Sequence, residues 1–433
     1  MRVLLTGASG FIGGRLLEAL IRDGHRVVAV SRRDTVSGGW GVQHLSKDFS
    51  HALNPSDWEG AVQGIDVVIN AVGILRERGD QRFELLHHRA PAALFTAAAA
   101  AGVPRIVQIS ALGADEAAAT PYHRSKKAAD DVLCSLPVEG IVVQPSLVFG
   151  AGGASTVMFT MQATQPLIPL PGRGRQIVQP VHVDDLVDVV MALATRADAA
   201  RAHAGRRVAV VGPEAMMLRE FYEELRAAMG IRAPARFLNM PMRVMRLVAQ
   251  FGKWLPGSPL DPDTLSMLER GAAAPAQDTQ AILGRAPRGV ASFVAAGSRG
   301  DVAQAARLRW LAPILRVSVA LVWLIAGAVS LGLYPVADSL AMLRAVGVPA
   351  SLAPAALYAG AGLSLLLGLL ALLPWRGRWL WFVQGAVVLA YTVILSLRLP
   401  EFWLHPFGPL AKNLTFLAAI WLLHEMEPEP SRH

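Results

Sequence analysis

The first fifteen residues, MRVLLTGASGFIGGR, constrain the fold more than any other stretch. The apolar run Val3-Leu4-Leu5 meets Thr6-Gly7-Ala8-Ser9-Gly10-Phe11-Ile12-Gly13, and Leu16, Leu17, Leu20 and Ile21 then recur at helix spacing. The pattern predicts a strand, a glycine turn and a helix start. Gly7 would allow the tight turn, Gly10 would let the backbone approach a phosphate, and Gly13 would let helix and strand pack closely. The helix N-terminus adds free N–H groups and a positive dipole end, an arrangement that can hold a pyrophosphate. The spacing is Gly-x-x-Gly-x-x-Gly, a partial match to the general Gly-x-Gly-x-x-Gly fingerprint. A glycine-rich turn that binds nothing is the alternative.

Further strands are expected at 25–30, 66–70, 105–109 and 140–144, separated by helical patterns at 83–101 and around Tyr122–Lys126. Strands alternating with helices imply an α/β fold, a doubly wound parallel Rossmann sheet with ligands at the carboxyl ends of its strands. The second strand runs into Ser31-Arg32-Arg33. An acid there would suit a ribose 2′-hydroxyl, whereas a guanidinium suits a 2′-phosphate; two solvated arginines are the other reading. Residues 150–290 read as a smaller substrate-side part, with 271–300 as loop or linker. Within it, 240–255 is a basic amphipathic helix with Val244, Leu247, Val248, Phe251, Trp254 and Leu255 on one face. That face would suit a membrane surface or simply cap the domain.

With 53% hydrophobic and 17% charged residues, the chain is too apolar for an ordinary water-exposed enzyme. The excess lies beyond about residue 310, where four apolar segments fall at about 313–334, 352–374, 379–397 and 406–424. A Rossmann domain over 1–300 and a C-terminal four-helix transmembrane bundle over 308–426 are therefore expected. Arginines flank the spans mainly on the side of the N-terminal domain, which places that domain and both termini in the cytoplasm, at the inner membrane. The net charge of +8 has no nucleic-acid motif behind it, and Cys134, the single cysteine, excludes a cysteine metal site or an internal disulfide.

Tyr122 and Lys126 stand four apart, so a helix puts both side chains on one face. Random placement of five lysines and five tyrosines in 433 positions would give only about 0.06 such pairs. A neighbouring ammonium should lower the phenol pKa, and Ser110, just after the preceding strand, could fix a carbonyl oxygen. The trio suits proton exchange accompanying hydride transfer.

The glycine turn, the Ser110…Tyr122-x-x-x-Lys126 set and Pro180-Val181-His182-Val183-Asp184-Asp185 together resemble the extended and atypical short-chain dehydrogenases/reductases. Ile109-Ser110-Ala111-Leu112-Gly113-Ala114 looks most like the branch containing the nucleotide-binding accessory subunit of respiratory complex I. The resemblance implies Ser110, Tyr122 and Lys126 as catalytic residues. It implies a cofactor-binding set of Thr6, Gly7, Ser9, Gly10, Phe11, Ile12, Gly13, Ser31, Arg32, Arg33, Asp48, Phe49, Asn70, Ala71, Val72, Gly73, Tyr122, Lys126, Pro145, Ser146 and Leu147. Two departures from its pattern are Gln144, where many members have arginine, and His87-His88-Arg89, where an asparagine-containing stretch is usual. From about Leu308 the chain is similar to the DoxX-like four-helix membrane family, through Trp323–Gly327 and His405–Asn413. The expectation is a membrane-anchored oxidoreductase preferring NADP(H) over NAD(H). Its expected partners are the bilayer, a small lipophilic substrate such as a quinone or lipid, and another membrane protein, with neither nucleic acid nor metal. The alternative is a non-catalytic NADPH-binding subunit that stabilises or senses a membrane complex.

Overall fold

The computed structural model describes residues 1–32, 41–252, 261–373, 377–406 and 408–427. Arg33, Arg376, Phe407 and residues 253–255, including Trp254 and Leu255, lie outside them. The chain divides into two compact units, Met1–Ala306 and Arg307–His433.

The first unit is built on seven strands: β1 (Arg2–Thr6), β2 (Arg26–Ser31), β3 (Val42–Ser46), β4 (Val67–Asn70), β5 (Arg105–Ile109), β6 (Glu139–Pro145) and β7 (Arg207–Val210). Their order across the sheet is β7-β6-β5-β4-β1-β2-β3, with every pair parallel. Because strand side chains alternate between faces, β1 feeds both layers. Val3 and Leu5 join the core formed with helix α1 (Phe11–Arg22), while Leu4 joins Val28, Val68 and Trp58 on the other face. Both faces are covered, which is why the strands read as continuous apolar runs rather than alternating ones.

Two features depart from the sequence reading. Strand β3 was not anticipated, because Val42-Gln43-His44-Leu45-Ser46 is half-exposed and carries no apolar run. The helix expected over 83–101 is split into a π-turn, Glu84–Arg89, and helix α2 (Ala90–Ala100). Pro91 has no N–H to give the His87 carbonyl, so the α-helical ladder cannot close there. The region after residue 150 also supplies β7 and the buried helix Val183–Thr195 to the central core. What remains forms a satellite core around Phe159, Phe221 and Tyr222.

Residues 271–300 are a built part of this unit rather than a linker. They hold the helix Gln277–Leu283 and bury Val290, Phe293 and Val294. The fully buried Asp185 carboxylate requires partners. It takes them from the Arg285 guanidinium and the Arg288 backbone N–H, both at 2.7 Å.

Among the described residues three helices are long and apolar enough to cross a membrane: Ala296–Leu333, which starts within the first unit, and Ala353–Leu372 and Arg378–Arg398 in the second. The fourth expected span is a helix over Ala411–Met426, 16 residues long. At 1.5 Å per residue it covers about 24 Å, short of a ~30 Å hydrocarbon layer. Between the first two long helices lies the short helix Val336–Ala345. The first two long helices meet through reciprocal small-residue contacts. A Cβ on Gly327 would lie 2.7 Å from Leu365, and one on Gly368 would lie 2.8 Å from Leu324. Gln384, fully buried, accepts from Trp323 Nε1 at 2.9 Å. At one end of the unit Glu427 accepts from Arg316 at 2.7 Å and from Trp381 Nε1 at 3.1 Å. The start of Arg378–Arg398 and the end of Ala411–Met426 therefore share that end, and the two helices run antiparallel.

Candidate active site at the carboxyl edge of the sheet

The β1 turn has the geometry its sequence implied. Gly7 sits at φ +71°, and the Gly10 amide donates to the Gly7 carbonyl at 2.8 Å. A Cβ on Gly13 would fall 2.0 Å from that same carbonyl oxygen, so α1 seats against the turn only with glycine there. Gly7 also has a second task, because a Cβ on it would lie 2.8 Å from the Ala71 carbonyl group at the end of β4. Helix α1 begins at Phe11 without a side-chain cap, leaving its first amides toward an open cleft of about 410 Å³. Ser9, Gly10, Phe11, Gly14, Arg15 and Gly152 line it. The uncapped first amides of α1 and the Arg15 cation fit a dinucleotide, with the Glu18 carboxylate also on the cleft wall. Arg15 was missed as a site residue; it reaches the Ala151 carbonyl at 2.9 Å and Asp184 at 3.5 Å.

A buried polar chain ties the strand tips together. Thr6 Oγ1 donates to Asn70 Oδ1 at 2.5 Å, and Asn70 Nδ2 donates to Gln108 Oε1 at 2.6 Å. Gln108 carried no motif, so nothing short of the sheet order placed it beside Asn70. Arg32 is exposed at the end of β2, with the Gln81 amide and Asp48 nearby. Asp48 accepts from the Ser50 amide at 2.9 Å and the Ser50 hydroxyl at 2.7 Å. Phe49 is turned into the core, edge-on to Trp58 at 5.1 Å, so only its backbone faces a ligand. Ser31 contacts His44 at 2.9 Å, and the Ser146 hydroxyl donates to the Gln179 carbonyl. The Pro145 carbonyl accepts from Leu112 N–H at 2.9 Å, and Leu147 is half-buried beside the satellite core.

Tyr122 and Lys126 share helix α3 (Pro121–Ser135), which is capped by Thr120 and opened by Pro121. Lys126 is buried and donates to the Ile109 carbonyl at 3.0 Å and the Val72 carbonyl at 3.2 Å. It thus bridges the ends of β4 and β5, and Gly73 is small enough to let it in, a Cβ there lying 3.3 Å from Nζ. Burial lowers the Lys126 pKa to about 8. Tyr122 stands in an aromatic setting made by Phe83, His87 and His123, with ring centroids 5.3 to 5.8 Å away. Its pKa is not lowered as the sequence implied. Burial first, then the Asp130 charge, pushes it up to about 12. A phenol so placed is a protonated donor at neutral pH. His87 is fully buried, accepts from Ile74 N–H at 2.9 Å and contacts Ser125 at 3.1 Å. Burial and the Lys126 charge hold it neutral, its pKa brought down to about 2.

Ser110 is placed differently from the other two. Its hydroxyl donates to Asp130 at 2.5 Å, and both groups are buried. Among the described residues its hydrogen-bond partner is Asp130, not Tyr122. Asp130 follows Lys126 by one helical turn, a signal present in the sequence and not used. The His182-Val183-Asp184-Asp185 stretch is architectural: His182 caps the helix Val183–Thr195, and Asp185 anchors Arg285 and Arg288.

Comparison with known proteins agrees with this geometry. Residues 3–211 match the NAD dependent epimerase/dehydratase family, and residues 320–421 match the DoxX-like family. The chain joins an NAD-binding epimerase/dehydratase-type domain to a DoxX-like domain. A ceramide reductase of Caulobacter vibrioides is 29% identical over 184 residues, covering 42% of this chain and 57% of that protein. Subunit 9 of the NADH dehydrogenase [ubiquinone] 1 alpha subcomplex of Mus musculus is 28% identical over 223 residues, covering 49% of this chain and 57% of that one. The chain thus spans under two thirds of the length of these relatives. Among solved structures, an Escherichia coli NADPH-dependent quinone oxidoreductase, QOR2, aligns with a TM-score of 0.53 at 16% identity, over 67% of this chain and 97% of that one. The epimerase/dehydratase-type domain accordingly has the fold of nicotinamide-dinucleotide binders, and the DoxX-like match covers the end of the first membrane-length helix and the whole of the other two among the described residues.

Proposed function

We propose that the protein is a membrane-anchored oxidoreductase that uses NADP(H) on a carbonyl or hydroxyl group of a lipophilic substrate. The observation that carries this reading is the buried Lys126 bridging β4 and β5 one helical turn from Tyr122, beside a glycine turn fit for a pyrophosphate. When bound, the cofactor supplies or accepts the hydride. The Gly7–Gly13 turn and the α1 amides would hold the phosphates, and Arg32 would meet a 2′-phosphate. Tyr122, protonated at neutral pH, would give its proton to the reduced carbonyl oxygen. Lys126, held by two carbonyls, would keep a positive charge beside the ribose and the phenol, with Phe83 and His87 packed around the Tyr122 ring.

The lipophilic substrate rests on two supports. A relative of the epimerase/dehydratase-type domain is named for a lipid, ceramide. In addition, the helix Met242–Gly252 buries Met245, Ala249 and Gly252 but leaves Leu247 55% and Phe251 63% exposed, along with Val244 and Val248. An exposed apolar face edged by Arg243 suits an anionic bilayer surface. The second reading, a non-catalytic nucleotide-binding subunit of a membrane complex, is favoured by the complex I relative. The test measures NADPH oxidation by the full chain in liposomes with long-tailed and short-tailed ketones and quinones. Preference for the long-tailed members and loss in Tyr122→Phe support the enzyme. Binding of NADPH with no turnover on any member supports the subunit.

A further inference from the structure

We propose that Asp130 is a positioning residue that sets the direction in which the Ser110 hydroxyl donates, and so decides whether Ser110 can serve a carbonyl oxygen. The proposal rests on the reading of Tyr122 and Lys126 as the reaction centre. Ser110 is 4% exposed and Asp130 fully buried, and the hydroxyl gives its hydrogen to Asp130 Oδ2 at 2.5 Å. Asp130 Oδ1 is also buried and has no hydrogen-bond partner. Tyr122, Lys126 and Asp130 follow one another at four-residue steps, so they stand along one face of α3. The groups facing Asp130 are Lys126, Tyr122 and Cys134 on its own helix, Ser110 beyond β5, Gln144 from β6 and Arg207 from β7. The Arg207 guanidinium is paired with Asp131 rather than Asp130. The Gln144 amide donates to the Ala114 carbonyl at 3.0 Å. Asp130 is therefore a buried carboxyl without a direct guanidinium partner. Burial pushes its pKa up to about 7, against the pull of the Ser110 bond, the Lys126 and Arg207 charges and, last, the Gln144 side-chain amide.

A hydroxyl has one hydrogen to give. While Asp130 is a carboxylate it can only accept, and it takes that hydrogen. Ser110 can then accept from a ligand but cannot donate to one. When Asp130 takes up a proton from solvent, its own O–H can donate to Ser110 Oγ, and the Ser110 hydrogen is released toward a carbonyl oxygen. Protonated Asp130 thus favours carbonyl reduction, and rising pH withdraws Ser110 from it.

Two measurements on the full chain test this. Infrared difference spectra of ¹³C-aspartate-labelled protein, titrated between about pH 5 and 9, should show a protonated carboxyl band. Asp130→Asn should remove that band and Ser110→Ala should move it. Absence of a titrating band, or a band indifferent to Ser110→Ala, overturns the proposal. In NADPH oxidation with a long-chain ketone in liposomes, the wild-type rate should fall as pH rises through neutral, approaching tenfold per unit. Asp130→Asn, whose amide N–H is a permanent donor to Ser110, should flatten that limb while keeping turnover. An unchanged limb in Asp130→Asn overturns the proposal. A band that behaves as described in a protein that transfers no hydride would instead sink the reductase reading and leave the Ser110–Asp130 pair intact.

Discussion

In the proposed reaction Tyr122 is the proton donor, and its setting fixes the sign of its pH dependence. With its pKa pushed up to about 12, the phenol stays protonated across the neutral range. Reduction should therefore show no basic limb from this group below about pH 11, while Tyr122→Phe should lower turnover about 10²- to 10⁴-fold and leave NADPH binding nearly intact. A rate that Tyr122→Phe does not change would exclude this proton donor. Arg32→Ala should narrow the NADPH-over-NADH preference by ~1–3 kcal/mol, read by calorimetric titration of both cofactors. His87 makes a stability prediction. It is neutral in the fold, with its pKa at about 2, and near 6.5 when exposed. Below pH 6.5 the unfolded chain takes up a proton that the folded chain refuses, so stability falls as pH falls, by up to ~1.4 kcal/mol per unit. Denaturant unfolding in detergent between about pH 7 and 5 should show that slope, and His87→Gln should reduce it.

At the scale of elements, the glycine turn gives the sharpest contrast. Gly13→Ala would drive a Cβ into the Gly7 carbonyl at 2.0 Å, whereas Gly14→Ala meets only Ala8 O at an ordinary 3.6 Å. The first change should cost ~1–3 kcal/mol or more and abolish NADPH binding; the second should be neutral or slightly stabilising. Thermal unfolding of both variants with and without NADPH reads the difference. The turn, the strand–helix alternation and the Tyr122–Lys126 pair were legible in the sequence because each rests on local spacing. The roles of Gln108 and Arg15 were not, because their partners Asn70 and Asp184 are 38 and 169 residues away, and the four-residue step from Lys126 to Asp130 did not reveal its bond to Ser110, 20 residues away. Strand β3 was hidden for a different reason: an edge strand buries little and so needs no apolar run. The 271–300 segment looked like a linker by its Ala, Gly and Pro content, yet Asp185 holds it through Arg285 and Arg288.

On the scale of the whole molecule, a nucleotide-binding-type unit and a unit with three membrane-length helices sit on one chain. We expect both termini in the cytoplasm, so a reporter fused after residue 433 should read inside and one inserted within 338–350 should read outside. An inside reading from 338–350 would contradict that topology. The short helix Ala411–Met426 completes an even number of crossings only if its end, near Glu427, returns to the side of Arg316 and Arg378, where their hydrogen bonds and ion pair place it. The proposed reaction is a hydride transfer. The direct measurement supplies NADPH deuterated at the transferred position to the full chain in liposomes containing long-chain ketones and quinones, with the products read by mass spectrometry. Deuterium should appear on the former carbonyl carbon of a ketone, or quinol should form one for one with the NADP⁺ produced (its O–H label exchanges into water), with wild type and not with Tyr122→Phe. Saturable NADPH binding with neither labelled alcohol nor quinol formed would contradict this reading.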